Sequence, residues 1–373
     1  MKKARILGFL VFFLCGSLVG AQRQTERPYW FSLEQGKSLF RKGDYGNALL
    51  AFEDARRDRR ELYTRMEQDL IDLLSIPEVR LLGDSLDQIE PYITERYQIN
   101  AAAALRELYF RVPRASLEGS ATRALEALGH LKYYPEAEYW IGESYRVEGE
   151  LGVALGQYQK AHEQRVFLEN PGFDIEILYK IIDILKIRQN YTEMEKRLLE
   201  TLEGDTLWSG GRMNLNTKSA MLKVLENDGI NRFLTVYRYN NALVERAHRL
   251  LGYYYYTSGR YNRAVEHLMF SCLIQNTIVI EEVIRTQYDF TFTSLENLLT
   301  QALKRRTLVE YIEGAEYYKT LYYMGAALYG DGKLVSARRF WTFLSGHSDA
   351  GEWGGRARSQ LRSPFVEQVV EMP

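Results

Sequence analysis

The residues best suited by type and spacing to chemistry each lack a partner that the chemistry needs. His162-Glu163 opens like the helical motif of a zinc protease, but Val166 stands where the second histidine must be. Gly330-Asp331-Gly332-Lys333 ends like a phosphate-binding loop. Ala327 takes the place of its first glycine, and Leu334 that of the hydroxyl residue that holds magnesium. Gly142-Glu143-Ser144 resembles a nucleophile elbow, yet Arg146 replaces the second flanking glycine and no strand pattern precedes it. The histidines, at 130, 162, 248, 267 and 347, have no metal-ligand spacing. His248 and His267 could meet, and without acidic or cysteine partners they read as surface or core-edge residues. No catalytic residue, metal or cofactor is expected.

The elements that carry these residues repeat. Gly36 to Ala55, Gly142 to Ala161, Gly252 to Ser271 and Gly325 to Leu344 share one spacing: a small residue, a turn glycine seven residues on, and an alanine five after that. The turns are Gly43-Asp44-Tyr45, Gly149-Glu150-Leu151, Gly259-Arg260-Tyr261 and Gly332-Lys333-Leu334, followed by Ala48, Ala154, Ala264 and Ala337. Apolar residues flank the turns at helical spacing, as Ala48, Phe52 and Ala55 do after the first. Two antiparallel helices joined by a tight turn account for the pattern. Gly36 and Ala48 are small because helices that cross closely leave no room for a side chain at the contact. Packing positions on the same pattern are Ile141, Gly142, Tyr145, Ala154, Tyr158 and Ala161, then Leu251, Gly252, Tyr255, Ala264 and Leu268, then Leu321, Met324, Gly325, Leu328, Ala337 and Trp341. Pro135 suits a first helical turn.

The pattern resembles the tetratricopeptide repeat (TPR), a helix–turn–helix unit of ~34 residues. The clearest units are about 29–62, 135–168, 245–278 and 318–351. The first departs from the family at Ser32 and Gln35, the third ends in Ser271 instead of alanine, and the usual closing proline is missing throughout. The packing glycines lie 106, 110 and 73 residues apart. These gaps are near three, three and two multiples of the ~34-residue repeat. Degenerate helical pairs are therefore expected between the clear units, making one all-α solenoid with a TPR-like right-handed superhelix over residues 22–362. Glu61 to Ser75, Ile175 to Ile187 with Glu193 to Leu202, Lys218 to Leu225 and Leu295 to Leu303 supply candidates. Gln189-Asn190-Tyr191 mimics the turn, and Ala115 to Lys132 is a helix without an evident partner. Isolated pairs on separate domains are the alternative.

In TPR proteins the ligand contacts come from the first helix of each pair, on the side away from the packing glycine. That resemblance implies Lys37, Phe40 and Arg41 in the first unit, and Tyr139, Glu143 and Arg146 in the second. In the third it implies Arg249, Tyr253 and Tyr256, and in the fourth Tyr322, Ala326 and Tyr329. Tyrosine and arginine are enriched at binding hot spots. Tyr253-Tyr254-Tyr255-Tyr256 equally fits a run that circles a helix, with Tyr255 in the core and the rest half exposed. No unit repeats the lysine and asparagine clamp by which chaperone-binding members hold a C-terminal carboxylate.

Residues 1–21 have the layout of a secretory signal: basic Lys2, Lys3 and Arg5, an apolar run from Ile6 to Gly20, and small residues at Val19-Gly20-Ala21, so that Gln22 begins the mature chain. The run is short for a membrane anchor, which needs ~20 residues. A lipoprotein on Cys15 is a further alternative, disfavoured by Leu14. Without that segment the chain has 45 basic against 49 acidic residues, which gives no support to nucleic-acid binding. Cys272 is then the only thiol: a buried inert side chain, or a bridge between chains. Asp54 to Glu61 reads as a solvated helix end, and residues 363–373 as a loose tail.

The expected function is an exported, non-enzymatic protein-binding scaffold, periplasmic or envelope-associated, that docks peptides or helices of other envelope proteins on a concave face. It would have no integral membrane segment after cleavage. The alternatives are a periplasmic small-molecule or glycan receptor and an envelope enzyme of unfamiliar type.

Overall fold

In the computed structural model, which describes residues 28–74, 131–203, 208–209 and 212–368, the chain is all-α and divides into two compact units, Met1–Pro171 and Gly172–Pro373. The expected signal segment lies outside the described residues, as does the stretch 115–132 apart from its last two positions. Among the described residues the one β feature is a two-residue antiparallel pairing of Trp208–Ser209 with Arg212–Met213.

The first unit contains α1 (Tyr29–Arg41), α2 (Tyr45–Leu74), α3 (Pro135–Val147) and α4 (Leu151–Glu163). The second contains α5 (Phe173–Ile187), α6 (Tyr191–Glu200), α7 (Leu215–Val236), α8 (Ala242–Thr257) and α9 (Tyr261–Thr286). It continues through α10 (Leu295–Ala302), α11 (Arg306–Gly314), α12 (Tyr317–Gly330), α13 (Leu334–Gly346) and α14 (Gly351–Arg362).

The hairpins α1/α2, α3/α4, α8/α9 and α12/α13 fall on the four repeats. Each turn glycine has positive φ: 82° at Gly43, 86° at Gly149, 71° at Gly259 and 80° at Gly332. The next amide reaches back to close the helix end, Asp44 N to Leu39 O at 3.1 Å and Lys333 N to Leu328 O at 2.8 Å, which satisfies carbonyls that the helix leaves open. The α5/α6 turn does the same with a side-chain-bearing residue, Gln189 at φ 55°, and Asn190 N donates to Leu185 O at 2.9 Å. Asn190 Oδ1 also caps α6 by accepting from Glu193 N.

The glycine inside each hairpin meets a bulky residue sixteen positions on. A Cβ on Gly36 would lie 2.4 Å from the Phe52 ring, on Gly142 2.9 Å from Tyr158, on Gly252 2.5 Å from Leu268, and on Gly325 2.8 Å from Trp341. The partner of Gly252 is thus Leu268 rather than Ala264. Alanine at 48, 154, 264 and 337 is fully buried and lets the second helix come close.

Stacking between hairpins can be followed within each unit. In the first unit α2 packs directly on α3, and Phe52, Ala55, Tyr134, Ala137 and Ile141 share one core with Tyr29 and Leu33. There 61–74 continues α2, and the rest of the gap before α3 lies outside the described residues up to 131. In the second unit α6 packs on α8 and α9 packs on α12. The short α10 and α11 lie against α9 and α12, and α7, broken at Gly229, packs on α13 and α9.

Arg59 corrects the reading of Asp54 to Glu61 as a solvated end. It is buried, donates from Nε to Leu131 O at 3.3 Å, and lies 4.4 Å over the Tyr134 ring, and burial pushes its pKa down. The neighbouring Arg56 pairs with Glu138 at 3.1 Å.

Candidate functional site

The residues expected on an open face are mostly interior. In the first unit Tyr139 is buried against Tyr158, and buried Glu143 accepts from the Tyr158 hydroxyl and pairs with Arg146 at 2.8 Å. Phe40 meets Trp140 edge-on at 5.4 Å, and Lys37 pairs with Glu34 at 2.6 Å. Arg41 is exposed and donates to Lys37 O at 3.2 Å. Ser144, of the elbow-like motif, lies inside α3 and donates to Trp140 O at 3.0 Å.

In the second unit Arg249 and Tyr253 join α8 to α12. Arg249 pairs with Glu316 at 2.5 Å and Glu245 at 3.3 Å, and the Tyr253 hydroxyl is 3.1 Å from that of Thr320. Glu245 also accepts from Ser271 at 2.8 Å and Gln275 at 2.7 Å. Burial raises the Glu316 carboxyl, but Lys319 and Arg249 outweigh it and hold its pKa below the usual range. These residues face the neighbouring helix because α8 is covered by α6, α9 and α12. The tyrosine run is correspondingly more buried than expected: Tyr253, Tyr255 and Tyr256 are all interior and Tyr254 is partly so. Ala326 is buried too.

Tyr256, Tyr322 and Tyr329 do converge, and what they hold is the chain's own C-terminal segment. After α14 the backbone continues through Pro364–Gln368 without regular secondary structure. The Tyr329 hydroxyl donates to Pro364 O at 3.2 Å, the Tyr256 hydroxyl to Glu367 O at 3.3 Å, and Phe365 N to Gln360 Oε1 at 3.0 Å. The Glu367 carboxylate accepts from Tyr322, from Arg356 and, at 3.3 Å, from Gln360. Arg356 lies 4.7 Å over Trp353 and 5.0 Å over Tyr322. Tyr323 sits edge-on to Tyr253 at 5.2 Å and to Tyr256 at 5.3 Å, and 5.9 Å from Trp353. Burial, with the Glu367 contacts second, pushes the Tyr322 and Tyr256 hydroxyls above their ordinary pKa and keeps them as donors. The described part of the tail is therefore seated, not loose.

An open groove of about 1080 Å³ runs beside this segment, lined by Glu313, Glu316, Lys319, Tyr323, Trp353 and Arg356, with Phe365 and Glu367 at its edge. Tyr323, Trp353, Arg356, Gln360 and Glu367 were not singled out in the sequence. Their signal was the spacing of Trp353, Arg356 and Gln360 along one helix after the last repeat.

His248 and His267 meet in the core, Nδ1 to Nδ1 at 3.2 Å, with His248 stacked on Phe270 at 5.1 Å. Burial takes the pKa of His248 down to about 3 and that of His267 well below its usual value. Cys272 is fully buried on α9 and its thiol is pushed up by burial, which removes it from bridging between folded chains. Among the described residues no three His, Cys, Asp or Glu side chains cluster as metal ligands. The one described helix long and apolar enough to cross a membrane is α9, with 78% of its apolar window buried within the protein.

No protein-family model matches the chain. It is similar to a protein of Treponema pallidum (strain Nichols), 23% identical over 354 residues that cover 94% of this chain and 95% of the relative. It is also similar to a protein of Borreliella burgdorferi (strain B31), 22% identical over 222 residues, 55% of this chain and 68% of the relative. Both relatives are themselves described only as uncharacterised.

Proposed function

We propose that the chain is an exported scaffold of TPR-like hairpins, stacked as a solenoid, that binds extended segments of other envelope proteins without catalysing a reaction. One observation carries this reading: beside a groove walled by tyrosine, tryptophan and arginine in the second unit, Tyr256, Tyr329 and Gln360 already hold a non-helical peptide segment through its backbone. Contacts to a segment's main chain give affinity for many sequences, and a few side-chain contacts give specificity. Tyr323 and Trp353 are also rings on which a sugar could stack, so a glycan receptor is the second reading.

The test is site-specific photo-crosslinking in cells, with the probe at Glu313 or Glu352 in the groove and at exposed Val335 as control. Protein partners joined from the groove positions and absent from Val335 are expected. Equal yields from all three would sink the reading, and glycan adducts from the groove would favour the second. N-terminal sequencing of the same material should begin at Gln22, and a chain starting at Met1 would overturn the export part.

A further inference from the structure

The segment Pro364–Gln368 is held in an unusual way for a segment packed on a folded core. A permanent cap buries its apolar side chains, because apolar burial is the main source of stability. Here Phe365 is 52% exposed and Val366 40% exposed. The contacts are instead polar: two tyrosine hydroxyls on backbone carbonyls, Gln360 on a backbone amide, and three donors on one carboxylate. Interactions of this kind exchange with a competitor that offers the same groups, since each donor trades one acceptor for an equivalent one.

The donors exist whether or not the tail is present. Tyr322 and Arg356 come from different helices, α12 and α14, and both aim at one point, with Gln360 beside them. Rings stack on Arg356, which fixes the guanidinium in place. Removing Glu367 would leave a half-buried arginine and a largely buried tyrosine hydroxyl without their carboxylate. A site so arranged selects a carboxylate on a segment with free backbone carbonyls and reads little else of the sequence.

We propose that this is an exchange site: the cradle of Tyr256, Tyr322, Tyr329, Arg356 and Gln360 beside the groove takes an acidic segment of a partner protein, with a glutamate or aspartate at the Arg356–Tyr322 position, and the chain's own Glu367 segment occupies it until displaced. The inference rests on the scaffold reading above and names the chemistry of the partner. The tail then acts as a tethered competitor. A short tether gives an effective concentration of order mM, so a free peptide must overcome that to enter.

The experiment uses the purified full chain and a fluorescent peptide with the sequence of residues 363–368. Its partner variant is Glu367→Lys, which sets a positive charge beside Arg356 and expels the tail. The peptide is expected to bind Glu367→Lys at least tenfold tighter than the parent chain. Its affinity should fall when alanine replaces its glutamate, and on adding Arg356→Glu to the protein. Equal affinity for parent and Glu367→Lys, or no binding to Glu367→Lys while it keeps its helical circular dichroism, overturns the proposal. Should Glu367→Lys not fold, hydrogen exchange on the parent decides: the Phe365 amide exchanging at least tenfold faster than the buried amides of α12 supports exchange, and equal protection means a permanent cap. Peptide binding without groove-specific crosslinks in cells would sink the scaffold reading and leave the exchange site standing. Crosslinks without peptide binding would do the reverse.

Discussion

Leu268 occupies the space that any side chain on Gly252 would need: a Cβ built there comes within 2.5 Å of Leu268 Cγ and 3.2 Å of its backbone nitrogen. The same relationship, glycine against a bulky residue sixteen positions on, recurs at Gly142 and Tyr158. Gly252→Ala and Gly142→Ala should therefore each destabilise the protein by roughly 1–3 kcal/mol through overpacking. Gly156, on α4 of the same hairpin as Gly142, has open space around it. Gly156→Ala should stabilise by about 1 kcal/mol through helix propensity alone. Urea midpoints of the variants check this, and a stabilising Gly142→Ala would refute the close contact.

The turns offer an independent test. Gln189 adopts φ 55° where the other hairpins use glycine. That region favours glycine by roughly 1 kcal/mol or more over a residue with a Cβ. Gln189→Gly should raise stability by about 0.5–1 kcal/mol after the entropy lost on ordering a glycine. Gly259→Ala should lower it by a similar amount. Thermal unfolding of both variants is the measurement, and a common sign for the two would contradict the shared turn geometry.

Much of the local structure was legible because its causes are local. The turn glycines, the packing glycines and Ala48, Ala154, Ala264 and Ala337 interact within one hairpin, so fixed sequence offsets report them directly. Gln189-Asn190-Tyr191 was recognisable for the same reason, although its residue types differ. Which hairpin stacks on which was not legible. Phe52 and Ala137 lie 85 residues apart, yet share one core, and no periodicity encodes that contact. The same holds for the site. Arg249 and Tyr253 have the residue types of a binding face, but their partners Glu316 and Thr320 lie 67 residues away. Tyr256 and Tyr322 have the residue types of a binding site, while Glu367, which explains them, sits in a stretch with no helical pattern.

A buried ion pair ties α7 to α9. Lys218 Nζ is 2.8 Å from Glu266 Oε1 and 2.9 Å from Asn262 Oδ1, with both charged side chains almost fully enclosed. Removing one partner strands the other charge, so Lys218→Met should cost about 3–5 kcal/mol. Replacing both, Lys218→Met with Glu266→Leu, should recover most of that, because the interior then holds no unpaired charge. Denaturant unfolding of the three chains completes the cycle. A double variant no more stable than Lys218→Met would show that the pair's geometry, not the stranded charge, sets the cost.

The pair His248 and His267 makes stability depend on pH. Both rings are enclosed, and Arg263 adds its positive charge to the factors that keep His267 neutral. In the unfolded chain each takes a proton near pH 6.5, whereas folded His248 does so only near about pH 3 and folded His267 well below its usual value. Between those values the unfolded state binds more protons, so stability rises with pH and is lost on acidification. The contribution is intact above about pH 6.5 and declines as pH falls below it, with a limiting slope of about 1.4 kcal/mol per pH unit for each proton taken up only by the unfolded chain. The urea midpoint should therefore fall between pH 7 and pH 5. A His248→Leu/His267→Leu chain, which cannot be protonated at these positions, should lose most of that slope. An unchanged slope in the double variant would place the acid sensitivity elsewhere and leave the buried pair without a thermodynamic role in this range.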